Sequence, residues 1–120
     1  MTNLLTLAER CEAAEAGDQY DLLLEAHLLV RGLNRYVEPG FKSLLNAGAY
    51  LDAAMTLVPN DPCIGWEVSD GAGGPTARIW HVGIDRADDW EIGASPLATP
   101  ALALVAASLR ALQHQETGHG

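Results

Sequence analysis

Positive charge, sulfur and large aromatic side chains are all scarce in this chain. Lys and Arg total 7 against 16 Asp and Glu, for a net charge of −9, and a field of that sign disfavours approach to phosphate backbones and anionic lipid. Non-specific nucleic-acid binding and membrane attachment are therefore not expected. Cys11 and Cys63 are the only cysteines; they form no C-x-x-C pair, and the polar start Met1-Thr2-Asn3 has no basic n-region, which fits a reduced, cytoplasmic protein. His27, His81, His114 and His119 lack the clustered spacing of a zinc motif, so no metal or other cofactor is expected from them. Ser43, Ser69, Ser95 and Ser108 sit in no nucleophile-elbow sequence and have no evident base, which argues against an enzyme.

What is present is apolar surface arranged with period. The chain has 120 residues, 48% of them hydrophobic, enough for one domain with one core. Residues 4 to 16 read as an amphipathic helix stopped by Gly17. A second helix, capped by Asp18, runs to about Leu33 with Leu22, Ala26 and Leu29 on its stripe. Residues 34 to 48 contain Glu38-Pro39-Gly40, a type II turn signal, and read as a loop with no regular element longer than a short strand or a helical turn. Residues 49 to 58 form a third helix ended by Pro59. The period then changes from helical to alternating. Ile64, Trp66 and Val68 mark one strand and Arg78, Trp80, Val82 and Ile84 its hairpin partner, joined through Asp70-Gly-Ala-Gly-Gly-Pro75. A short strand over Trp90 to Ala94 follows.

The segment Thr99 to Arg110 is apolar on nearly every face and too short to span a bilayer. Thr99 suits its N-cap and Pro100 its first helical position. At about 100° per residue, Leu102, Val105, Leu109 and Leu112 share one face, suited to the sheet. Ala103, Leu104, Ala107 and Ala111 lie nearly opposite, and this small-residue ridge is a candidate contact with another helix, within the chain or in a homo-oligomer. The expected fold is α+β, a small antiparallel sheet of about three strands packed between helical layers. A single domain is expected over 1 to 113, with 114 to 120 as a flexible tail.

Candidate binding residues are few. Gly71-Ala72-Gly73-Gly74 joins two strands, so it reads as a turn rather than a phosphate cradle. Asp85, Asp88, Asp89 and Glu91 offer carboxylates without a calcium-loop spacing; a metal-dependent enzyme built on them is the weakest reading. Arg78, Trp80, His81 and Trp90 combine basic groups with aromatic rings on the strands, a chemistry suited to an anionic, base-containing ligand.

Tyr50-Leu-Asp-Ala-Ala-Met-Thr-Leu-Val-Pro59, the Gly65-Trp66 strand, Glu91-Ile-Gly-Ala-Ser-Pro96 and Ala98 to Ala111 together resemble the phage ABA sandwich family. The opening Leu4-Leu-Thr-Leu-Ala-Glu-Arg10 is also similar to its proteobacterial members. The resemblance implies a sheet between helical layers and a small phage or prophage accessory protein in a bacterial host cell. It further implies an oligomeric anti-defence factor that sequesters a cyclic nucleotide-type immune signal without chemistry. Many relatives carry a Cys-Arg pair where this chain has Val105-Ala106, so no ligand residue is carried over. An alternative of another class is an acidic, anti-CRISPR-like inhibitor that occupies a basic site on a host defence protein.

Overall fold

The computed structural model describes residues 3–32, 37–82, 90–94 and 96–117. Helix α1 covers Leu4–Ala13 and starts where the Asn3 side chain accepts a hydrogen bond from the Thr6 N–H at 2.8 Å, relieving one orphan donor of the first turn. It ends three residues before the expected stop, at Ala14, which turns extended with ψ 158°. A single 3₁₀ turn at Ala16–Asp18 follows. Asp18 spends its carboxylate backwards, accepting from the Glu15 N–H at 3.1 Å, so α2 (Gln19–Arg31) has no side-chain cap. Gly32 closes α2 at φ 64° with its N–H on the Leu28 carbonyl, a left-handed geometry that glycine adopts without cost. Leu33 and Asn34 fall outside the described residues.

Helix α3, Pro39–Asn46, replaces the expected loop. Proline at the first helical position and proline at the second position of a turn share the same φ, so the local signal was ambiguous. What decides it is Phe41 and Leu45, one helical turn apart and both buried. Gly40 is not among the positive-φ glycines that a type II turn would need. Helix α4 occupies Tyr50–Met55 and passes through a turn at Thr56 before Pro59.

Strands β1 (Ile64–Gly71), β2 (Gly74–His81) and β3 (Trp90–Ala94) form an antiparallel sheet in that order. The α+β class with a three-stranded antiparallel sheet is thus the observed architecture. The hairpin is tighter than its glycine content suggested, because pairing continues to Gly71 opposite Gly74. Gly74 sits at φ 98°, and a Cβ there would meet Pro96 at 3.2 Å. One sheet face carries Ile64, Trp66, Val68, Ala77, Ile79, His81, Trp90 and Ile92 in register. Ala77 and Ile79 on it are buried. Gly65, Glu67, Arg78, Trp80, Glu91 and Gly93 make the opposite face, whose charged members remain exposed.

Helix α5, Pro100–Thr117, packs on the apolar sheet face and has α1, α4 and α2 on its other sides. The Thr99 hydroxyl accepts from the Leu102 N–H at 3.1 Å and caps it as expected. Every residue from Ala101 to Leu109, together with Ala111, is at most 2% exposed. Burying Leu102, Leu104, Val105 and Leu109 contributes about 1.5–3 kcal/mol each. Ser108 satisfies its hydroxyl by donating to the Leu104 carbonyl at 2.8 Å. Arg110 closes the apolar stretch by forking onto Glu12 of α1 at 2.6 and 2.7 Å.

This burial corrects the intersubunit reading of the ridge. Ala103, Leu104, Ala107 and Ala111 are 0% exposed inside a single chain, so no surface is left there for a second copy. The residues that invited a neighbouring helix have found it in their own chain. The helix also continues through His114 to Thr117, where a tail was expected.

Candidate functional site

Alternation along β2 separates the four residues proposed as a ligand set. Arg78 and Trp80 project to the outer sheet face, while His81 and Trp90 pair across β2 and β3 on the inner one. A strand changes face at every residue, so neighbours 80 and 81 cannot serve one pocket on the sheet surface. Arg78 is also already neutralised. Its guanidinium lies 2.8 Å from the Glu67 carboxylate and 3.6 Å from that of Glu91, and 5.4 Å over the Trp80 ring. Two carboxylates around one cation leave a net negative charge where a phosphate was to sit. Trp80 in turn roofs Gly65, where a Cβ would come within 2.5 Å of the indole.

A better-formed concavity lies on the opposite face of the sheet, at the start of β1. The C-terminal end of α2 supplies Val30 and Arg31, the exit from α4 supplies Met55 to Asp61, β1 supplies Ile64 and Trp66, and α5 supplies Leu112; together they line an open groove of about 530 Å³. That volume falls within the usual range of small-molecule sites, roughly 300–1,000 Å³. Met55 and Trp66 are 41% and 36% exposed, two of the large apolar side chains most open to solvent. Arg31 is anchored at the rim by donating to the Thr56 carbonyl at 3.3 Å, and its guanidinium stands 4.0 Å from Glu38. Asn60 and Asp61 add an amide and a carboxylate to the same wall. Helix α4 has already ended at Met55; Pro59 keeps a helix from resuming, and the chain runs on through Asn60 and Asp61 to β1.

At the edge of this groove, donor atoms of Asp61, Cys63 and His81 lie within 4.8 Å of one another. The turn before β1 fixes the first two: the Cys63 N–H donates to Asp61 Oδ1 at 2.8 Å and the Ile64 N–H to the Asp61 carbonyl at 2.9 Å. Ladder pairing brings in the third, since His81 stands opposite Ile64 and the Val82 N–H donates to the Cys63 carbonyl at 3.0 Å. His81 stacks on Trp90, centroids 5.7 Å apart and planes 10° apart, and Trp90 meets His114 at 5.1 Å. Sequence reasoning examined the histidines among themselves and missed this grouping. The usable signal was the hairpin register, which pairs the residues just before β1 with the end of β2.

Two other titratable groups are structural. His27 is 1% exposed and stacks on Phe41 at 4.1 Å. Burial lowers its pKa, and its Nε2 accepts from the Glu38 N–H at 3.2 Å. That bond places its proton on Nδ1, which has no partner among the described residues. Cys11 is fully buried and its thiol is pushed up to about 12 by burial. Asp85, Asp88, Asp89, Ser95 and His119 lie outside the described residues; Glu91 faces outward beside Arg78. Among the described residues, no helix is long and apolar enough to cross a membrane. Comparison of the chain with protein-family models, curated proteins and solved structures finds no match.

Proposed function

We propose that this protein is a non-enzymatic phage-type accessory factor that captures a small nucleotide-type signal in the groove between α2, α4 and β1. The observation that carries the reading is the groove itself, with an exposed indole, a rim arginine and two hydrogen-bonding side chains around about 530 Å³. Trp66 offers a stacking face for a base, a contact worth about 1–3 kcal/mol. Arg31 offers a charge-assisted donor to phosphate. Asn60 and Asp61 can read the polar edge of a base. The resemblance to phage ABA sandwich proteins supplies the biological class. This assignment moves the ligand from the sheet surface, where two carboxylates surround Arg78, to a cleft with Arg31 on its rim.

Isothermal calorimetry with cyclic mononucleotides and cyclic dinucleotides tests it on the intact chain. A single site is expected, weakened about five- to hundredfold by Trp66→Ala and unaffected by Trp80→Ala. An absence of heat with every nucleotide rejects the capture reading and moves the account to the acidic, protein-directed inhibitor.

A further inference from the structure

Asp61, Cys63 and His81 bring one oxygen, one sulfur and one nitrogen donor to a single point. Their surroundings orient them. Asp61 Oδ1 is held by the Cys63 N–H at 2.8 Å, while Oδ2 stands 4.0 Å from His81 Nε2. The imidazole plane is set by its stack on Trp90. We propose that these three side chains form a binding site for a zinc-class transition metal, being the three donors that the described residues bring together.

The donor chemistry selects the ion. Calcium and magnesium take oxygen ligands almost exclusively, whereas a thiolate, an imidazole and a carboxylate together suit a borderline ion such as Zn²⁺ or Co²⁺. Bonds of about 2.3 Å to sulfur and 2.0–2.2 Å to nitrogen and oxygen place tetrahedral donors roughly 3.3–3.6 Å apart. The set therefore has to contract by at most about 1.2–1.5 Å from its 4.8 Å limit. Cys63 is exposed and Asp61 partly so, leaving room for that rotation. Coordination breaks the Cys63 S–H bond, forms the metal–sulfur bond and releases the proton to solvent.

A Cys–His–Asp nucleophilic relay is the competing use of the same side chains. A relay needs the carboxylate on one imidazole nitrogen and the thiol on the other. Mutual approach of all three donor atoms is the requirement of a metal, and that is what the geometry provides. Asp61 also lines the groove, so the metal would border any ligand held there; the metal site does not depend on that ligand.

Titration of the full-length, chelator-treated protein with Co²⁺ tests the assignment. One equivalent is expected to produce a thiolate-to-cobalt charge-transfer band with tetrahedral d–d absorption, both lost on adding Zn²⁺. Cys63→Ser should abolish the charge-transfer band, and Asp61→Asn and His81→Ala should each weaken binding about tenfold or more. Buried Cys11 cannot supply the thiolate in its place. Circular dichroism of the metal-free variants checks that each is folded. A wild-type protein without the band overturns the proposal, as does a band that survives Cys63→Ser, or affinity unchanged in both other variants.

Discussion

Replacing Ala107 by leucine asks whether the ridge of α5 is internal, as the structure has it, or a contact between subunits. Ala107 is 0% exposed, between neighbours Ala106 and Ser108 that are equally enclosed. The larger side chain has to displace the neighbours that enclose it. Overpacking of a filled core costs about 1–3 kcal/mol. With an unfolding entropy of about 2.1 cal/mol/K per residue, a chain of 120 residues loses about 4 °C of Tm for each kcal/mol. Ala107→Leu should therefore lower Tm by about 4–12 °C, by the same amount at low and high protein concentration. Thermal circular dichroism over a hundredfold concentration range measures both quantities. A variant that keeps the wild-type Tm but loses a concentration dependence present in the parent would refute the internal placement.

Three further outcomes follow from other parts of the molecule. Gly65→Ala should cost about 1–3 kcal/mol by driving its Cβ into Trp80, and the loss should shrink when Trp80→Ala is added, as a double-mutant cycle by denaturant melts will read. Because the unfolded chain protonates His27 at its ordinary value of 6.5 while the buried ring resists protonation, stability is full above that pH and falls below it, by at most about 1.4 kcal/mol per pH unit. Denaturant midpoints between pH 6.5 and 5 should thus slope less steeply in His27→Leu, and an unchanged slope would contradict the burial argument. A thiol reagent at pH 8 should titrate exposed Cys63 quickly and reach buried Cys11 only on unfolding; rapid reaction of both in the native protein would be inconsistent with the packing of α1.

Much of the fold was legible because the signals were local and redundant. Thr99 and Pro100 marked the start of α5, the alternation of Ile64, Trp66 and Val68 marked β1, and Trp90 to Ala94 marked β3. Helix α3 was missed because Pro39 is compatible with a turn and a helix start, and only the tertiary burial of Phe41 and Leu45 chooses between them. The apolar faces of α5 showed that it needed cover on two sides. It did not reveal whether that cover came from α1, α2 and α4 or from another chain, since both satisfy the same residues. The site was less legible than the fold. Arg78 looked available because its partners Glu67 and Glu91 are 11 and 13 positions away in sequence and meet it only through strand register. Groove and donor cluster alike join segments distant in the chain, so no contiguous motif records them.

The capture reading is tested most directly by incubating the intact protein with extracts containing cyclic nucleotide-type signals, isolating it, denaturing it by heat and identifying what is released by mass spectrometry. The account predicts an intact nucleotide from the wild-type protein, much less from Trp66→Ala and from Arg31→Ala, and an undiminished amount from Trp80→Ala. Release of no nucleotide, or equal release from the Trp66 and Arg31 variants, would contradict it.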